Sequence, residues 1–419
     1  MKNIYHRTEC RLCGSKKLKK TIPLEKIPLT EKYITEDQLN STYDLYPIDV
    51  YMCLDCSHVQ ILDCIDADIL WDDFTFRSGQ AKIIIDHLND VAQKTCKKYK
   101  LRINSFVIDV GSNDGTLLKG YKDQGMKVLG VDPAKEIASE ANKANIPTIS
   151  EFLTETTVDK IIKKHGKALI VNCFNAFAHA DDMNELMASI SKMVDSNGIF
   201  IFEVSYLVDI IDNLLLGTII HEHLCHHSVI PLVKFLKKFG MELIDVERVP
   251  YQGGSIIGIS QHIGGPFPVN QSVNKMIDYE KKYKFNLPGT IETFSIRLNK
   301  LIKEFSKLIS EWKSKGEIIA GYGAARSGPT LISQFKIGDK ISFIVDDHPQ
   351  KVNRYTPGDN IKILPTKELL LRMPKYTLIF AWVHTETIIK NNHEYLINGG
   401  NFVIIFPKIK IISAKDLVK

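Results

Sequence analysis

The chain has 419 residues, 44% apolar and 25% charged, with 54 Lys and Arg against 49 Asp and Glu for a net charge of +5. At roughly one to two hundred residues per domain this is material for two to four packed domains. It excludes a disordered chain, a collagen-like rod and a disulfide miniprotein. The weak positive balance also lacks the concentrated basic field of a protein that wraps nucleic acid, so the expected partners are anionic small molecules and not nucleic acid.

No window approaches the run of about 18 apolar residues that a membrane span needs. The start, Met1-Lys2-Asn3-Ile4-Tyr5-His6, lacks the apolar core of a secretion signal. The expected location is the cytoplasm, away from membranes, and the eight cysteines are expected as thiols or metal ligands. Four of them form two C-x-x-C pairs, Cys10 with Cys13 and Cys53 with Cys56. Each pair can turn two thiolates toward one tetrahedral Zn²⁺, and four thiolates leave no open position, so the predicted zinc is structural. The remaining Cys64, Cys96, Cys173 and Cys225 share no such spacing. The lysines of 16–20 are expected on a solvated face beside this knuckle.

Residues 105–265 alternate apolar strand signals with helical segments. Strands are predicted at 105–110, 127–132, 168–172 and 198–203, with two more near 241–249 and 255–261. That alternation predicts a mostly parallel sheet covered on both faces. Residues 270–315 read as long charged helices with apolar residues three and four apart, among them Leu298, Leu301, Ile302, Phe305 and Leu308. A second α/β unit follows, with strands expected at 316–323, 341–347, 376–381 and 401–405.

The first strand ends at Asp109 and runs into Gly111-Ser112-Asn113-Asp114-Gly115 and a helix. Such a loop brings backbone N–H groups close to a ligand. Asp132 closes the next strand, where a carboxylate can accept both hydroxyls of a ribose. NAD-binding and S-adenosylmethionine-binding folds share this arrangement. The loop is not G-x-G-x-x-G, and its acidic and amide side chains suit a sulfonium and an ammonium better than a pyrophosphate. In the C-terminal unit Gly321-Tyr322-Gly323-Ala324-Ala325-Arg326-Ser327-Gly328 is expected to open a helix whose backbone donors suit a diphosphate, with Arg326 adding a charged contact. An ordinary glycine turn is the plain alternative.

Taken in order, these pieces resemble the bacterial sugar C-methyltransferases, which methylate carbon 3 or carbon 5 of nucleotide-linked 4-keto-6-deoxysugars. The resemblance runs through the paired cysteines, Phe74-Thr75-Phe76-Arg77-Ser78-Gly79, Asp109 to Leu118, Asn175 with His179, Glu203 to Leu207 and His221-Glu222-His223-Leu224. It continues through Gly253-Gly254-Ser255, Gly321 to Ala324, Val345-Asp346-Asp347, Arg354 to Gly358 and Ala381-Trp382. It implies a class I methyltransferase sheet between an N-terminal zinc-binding domain and a C-terminal Rossmann-like domain, with expected limits of 1–72, 73–268 and 269–419. The implied cofactors are S-adenosylmethionine and structural Zn²⁺, and the implied substrate is a nucleotide-diphosphate sugar. A monomer is the default expectation.

By the same resemblance His223 is the general base, Glu222 lies beside it to orient the ring and raise its basicity, and His179 lines the same pocket. Cofactor contacts fall to Asp109, Gly111, Asn113, Asp114, Gly115, Asp132 and Asn175. Substrate contacts fall to Phe76, Ser78, His221, Tyr322, Arg326, Asp346, Arg354 and Trp382. The base would take a proton from the carbon beside the ketone, and the resulting enolate would attack the sulfonium methyl. The His221–His227 run has two other readings, a solvated loop and a metal site from His223 and His227 on one helical face.

The chain departs from the family pattern at Phe74, Phe76 and Ile220, where tyrosines are usual. It departs again at Cys225-His226-His227, where aromatics are common, at Gln252 for His, Ile257 for Arg and Ser327 for Lys. A lost phenol is a lost donor to an enolate or sugar hydroxyl, so these positions bear on which atom is methylated. Oxygen or nitrogen methylation of a related metabolite is the alternative within the fold, and a zinc-ribbon RNA-modifying methyltransferase a distant one.

Overall fold

The computed structural model describes residues 4–66, 69–70 and 76–418. Phe74 and Thr75 of the expected motif lie outside those residues. The N-terminal part carries β1 (Ile4–His6), β2 (Leu18–Ile22), β3 (Val50–Cys53), β4 (Val59–Ile61) and β5 (Asp63–Ile65). Strands β1 and β5 form an antiparallel pair. Strands β2, β3 and β4 form an antiparallel sheet. The four lysines of 16–20 are exposed on and beside β2, as their charge requires.

The central sheet is built from β6 (Phe106–Val110), β7 (Lys127–Val131), β8 (Thr148–Ile149), β9 (Ala168–Phe174) and β10 (Val194–Ser205). Next in the chain comes β11 (Cys225–His226), which leaves this sheet and pairs antiparallel with β4, Cys225 opposite Gln60 and His226 opposite Val59. Strands β12 (Met241–Val249) and β13 (Ser255–His262) then complete the central sheet. Its order is β12-β13-β10-β9-β6-β7-β8, with β13 antiparallel to both neighbours and the rest parallel. This is the class I methyltransferase arrangement. All five residues of β6 are buried, which is why its sequence is a continuous apolar run broken only by Asp109. Helix Lys82–Lys98 covers one face through Ile84, Leu88, Val91, Ala92 and Thr95, at helical spacing. Helix Met183–Met193 starts on Asp182, whose carboxylate accepts from the N–H groups of Asn184 and Glu185.

Helices Gln271–Lys282 and Pro288–Ser314 lead to the third sheet. Leu298, Leu301 and Phe305 are buried as the spacing predicts. The sheet comprises β14 (Ile319–Tyr322), β15 (Phe343–Val345), β16 (Ile363–Leu364), β17 (Tyr376–Ile379), β18 (Asn401–Ile404) and β19 (Lys410–Ile412). Its order β16-β15-β14-β17-β18-β19, parallel except for β19, is the Rossmann order. The glycine loop after β14 does open a helix, Ser327–Phe335. Among the described residues no helix is long and apolar enough to cross a membrane.

The N-terminal part reaches both other sheets. Tyr33 donates its hydroxyl to the Ala324 carbonyl at 2.5 Å, just after β14, and Arg7 Nη1 donates to the Asp181 carbonyl at 3.3 Å, in the loop after β9. These ties close a space between the carboxyl ends of the two parallel sheets, where ligands of α/β proteins bind.

Candidate active site

The four paired cysteines converge. Their sulfurs all lie within 4.8 Å of one another, with Cys10 to Cys56 at 3.6 Å and Cys13 to Cys53 at 3.5 Å. A tetrahedron with Zn–S bonds of about 2.3 Å has edges of about 3.8 Å, so the set fits Zn²⁺. No disulfide forms among them.

Between the two parallel sheets lies a cavity of about 1310 Å³. Single-ligand pockets span roughly 300–1,000 Å³, so a cofactor and an acceptor fit together. On the β6 side it is lined by Asp109, Gly111, Asn113, Asp132 and Asn175. Asp132 accepts from the N–H of Asn113 at 2.8 Å and of Ala134 at 2.9 Å, which fixes its carboxylate at the end of β7. Gly111 has φ +71°, and a Cβ there would stand 2.4 Å from the Cβ of Ala176, so only glycine lets the loop pass. Asp109 is buried, its Oδ1 has no hydrogen-bond partner, and burial with the nearby Asp132 pushes its carboxyl up to about 8. An orphaned acid beside a carboxylate fixed by backbone donors fits the ammonium and ribose of S-adenosylmethionine. Asn113 turns its side chain to the N-terminal side, accepting from Ser78 N–H at 2.9 Å and donating to the Phe76 carbonyl at 3.1 Å. Asp114 and Gly115 lie off the cavity wall. The first accepts from Gly79 N–H and from Thr116, and the second turns at φ +80° against Ile146.

Replacing Asp132 with Asn sets an amide donor against one of those backbone donors and removes a charged acceptor. S-adenosylhomocysteine affinity is expected to fall about 10–100-fold, from charged hydrogen bonds worth roughly 1.5–3 kcal/mol. Isothermal calorimetry measures it, and an unaltered affinity would count against this ribose site.

Across the cavity stand His179 and His223, their rings stacked at 5.1 Å and 16°. His223 Nδ1 lies 2.7 Å from the Thr218 carbonyl. A carbonyl only accepts, so Nδ1 carries the proton and Nε2 keeps its lone pair. Burial pulls the His223 imidazole down to about 4, against the Thr218 bond and with help from Arg326. Burial also holds His179 well below its ordinary value. Both rings are neutral at pH 7.

Glu222 does not orient His223, contrary to the expectation from sequence. Neighbouring side chains on a turn diverge, and Glu222 instead meets Arg326 at 2.6 Å. Glu31 of the N-terminal part, which no motif marks, lies 3.5 Å from both Arg326 and Lys351. Arg326 also stands over the Phe76 ring at 5.4 Å. The run at 221–227 is neither solvated nor helical. His221, Glu222, His226 and His227 are buried, and His227 stacks on Phe177 at 5.3 Å. Among the described residues the only group of three or more His, Cys, Asp or Glu side chains placed to hold a metal is the cysteine set, and without a helix at 221–227 the shared face assumed for a His223–His227 metal site does not exist.

Ser78, Phe76, Ile220, Gln252, Arg326, Asp346 and Trp382 also line the cavity. Asp346 repeats the device of Asp132, accepting from Ala324 N–H at 2.7 Å and His348 N–H at 2.8 Å. Three predicted substrate residues stand apart. His221 packs edge-on to Tyr46, Tyr322 accepts from Asn392 at 3.2 Å, and Arg354 is exposed.

A family model described as a putative zinc binding domain matches residues 10–71, a methyltransferase domain 82–246, and a C-methyltransferase C-terminal domain 250–407. The chain is 28% identical over 409 residues to the C-methyltransferase NovU of Streptomyces niveus, spanning 97% of each protein. Among solved structures, an S-adenosylmethionine-dependent methyltransferase from Clostridium acetobutylicum is 12% identical with TM-score 0.35, covering 48% of this chain and 96% of that one. Magnesium protoporphyrin IX methyltransferase from Synechocystis, solved with S-adenosylmethionine, is 14% identical with TM-score 0.33, covering 45% and 85%.

Proposed function

Since the chain belongs to the S-adenosylmethionine-dependent C-methyltransferases that carry a zinc-binding domain ahead of the catalytic sheet, we propose that its acceptor is a nucleotide-linked keto-deoxysugar, methylated at a carbon made acidic by the ketone. When bound, S-adenosylmethionine supplies an electrophilic sulfonium methyl. The observation that carries the reading is the His223 Nδ1–H bond to Thr218, which leaves Nε2 as the proton acceptor on a ring lining the cavity. An imidazole held neutral by burial is ready to take a proton at pH 7 but is intrinsically weak. The enolate oxygen therefore needs a donor in place beforehand, and His179, neutral and stacked on His223, is the candidate.

Arg326 and Lys351 supply positive charge for a diphosphate, and both already touch Glu31. Asp346 and Trp382, on the same wall, lie where the nucleoside of such a substrate would extend. Glu222 offsets the Arg326 charge near the base and so limits the cost of forming an imidazolium.

The test is proton exchange in D₂O with a panel of nucleoside-diphosphate 4-keto-6-deoxysugars and no methyl donor. Deuterium is expected at the carbon later methylated, and its loss with the His223→Ala variant. Turnover of a panel member without such wash-in would overturn the carbanion route and favour oxygen or nitrogen methylation.

A further inference from the structure

Arg11 sits inside the first cysteine pair, where a solvated residue would be ordinary, yet its side chain is fully buried. Its guanidinium donates to Gln60 Oε1 at 3.2 Å and to Cys64 Sγ at 2.8 Å, and it also grips two neighbours of the catalytic loops. One arm reaches Asp181, with Nε at 3.1 Å and Nη2 at 3.0 Å from Oδ1. Asp181 follows His179 by two residues. The other arm donates to the Ile61 carbonyl, and Ile61 in turn donates its N–H to the Leu224 carbonyl at 2.9 Å, next to His223. The two loops are also joined directly, Cys225 N–H to the Ala178 carbonyl at 3.0 Å. One cation on the zinc knuckle thus grips both segments that present the stacked imidazoles.

We propose that Arg11 is a positioning residue for the active site, holding His179 and His223 in register by bridging Asp181 and the β4–β11 pairing. The zinc knuckle is then part of the catalytic framework. A buried guanidinium with fixed planar donors can serve two acceptors in two directions, which an ammonium cannot reproduce. Asp181 reinforces the hub, receiving Arg7 Nη1 at 3.3 Å and the Tyr5 hydroxyl. The inference rests on the reading of His223 as base for its catalytic meaning, although the geometry stands without it.

The experiment uses the full zinc-loaded chain with ¹⁵N-labelled histidine, and reads imidazole tautomers by NMR, with His223 assigned from the His223→Gln difference. In Arg11→Met the Nδ1–H signature of His223 is expected to be lost, with zinc stoichiometry retained and S-adenosylhomocysteine affinity within about twofold of the unaltered protein. Arg11→Lys should recover the signature in part. If Arg11→Met does not fold, Asp181→Asn removes only one grip, and the His179 signals should shift while those of His223 stay. Unchanged signals of both rings in a folded, zinc-bound variant would overturn the proposal. Failure of His223 as base would show differently, as normal turnover in His223 variants, because the tautomer experiment reads where the ring is held and not what it does.

Discussion

Replacing His223 with Ala or Gln is expected to lower methyl transfer by about 10²–10⁴-fold, the usual worth of a positioned acid–base group, with S-adenosylhomocysteine binding nearly unchanged. The separation follows from geometry. His223 faces its partner ring His179 at 5.1 Å, whereas Asp132, the proposed ribose acceptor, is held by its own backbone donors. A second signature lies in the pH profile. As the proposed base His223 works only unprotonated, and burial draws its imidazole down to about 4. The kcat/KM of the unaltered protein, which reports free-enzyme groups, should therefore stay flat through pH 6.5 and fall as pH drops through about 4. Stopped assays with a radiolabelled methyl donor measure both. A His223→Ala variant with near-normal turnover would remove this ring from the mechanism.

Cys53→Ser is expected to give the largest loss of stability. A hydroxyl in place of one thiolate opens the Cys₄ shell, and structural zinc contributes roughly 10–16 kcal/mol of apparent binding energy in small domains. Net folding stability is only about 5–15 kcal/mol, so losing even part of that term leaves the N-terminal sheets without support. Metal analysis should find less than one zinc per chain, and melting should begin well below that of the unaltered protein. Because β11 is a strand of the same sheet as Cys53, methyl transfer should fall with zinc content. A folded variant holding one zinc per chain would show that the fourth thiolate is dispensable.

The central strands were legible because burial on both faces demands near-continuous apolar runs, as at Phe106–Val110 and Ala168–Phe174, each broken by a single polar residue. The cysteine set was legible because its ligands come in close pairs. Strands β8 and β16 have two residues each, too short for any period to register. Strand β11 escaped for a different reason. Cys225 and His226 pair with Gln60 and Val59, and no local pattern encodes a partner so distant in sequence. The His221–His227 run looked polar, yet tertiary packing buries most of it and the deeply buried rings shed their charge. Glu222 and Arg326 were each visible as candidates, but their pairing was not, since side chains from loops about a hundred residues apart in sequence meet only in the fold.

The sharing of β11 between the amino-terminal sheet and the catalytic segment has a consequence for protein engineering. Chimeras that exchange the zinc module between relatives at the expected boundary of 72 and 73 would part β11 from the strand β4 with which it pairs. Successful recombination breakpoints should instead move that module together with the two loops it clasps, as one inherited block.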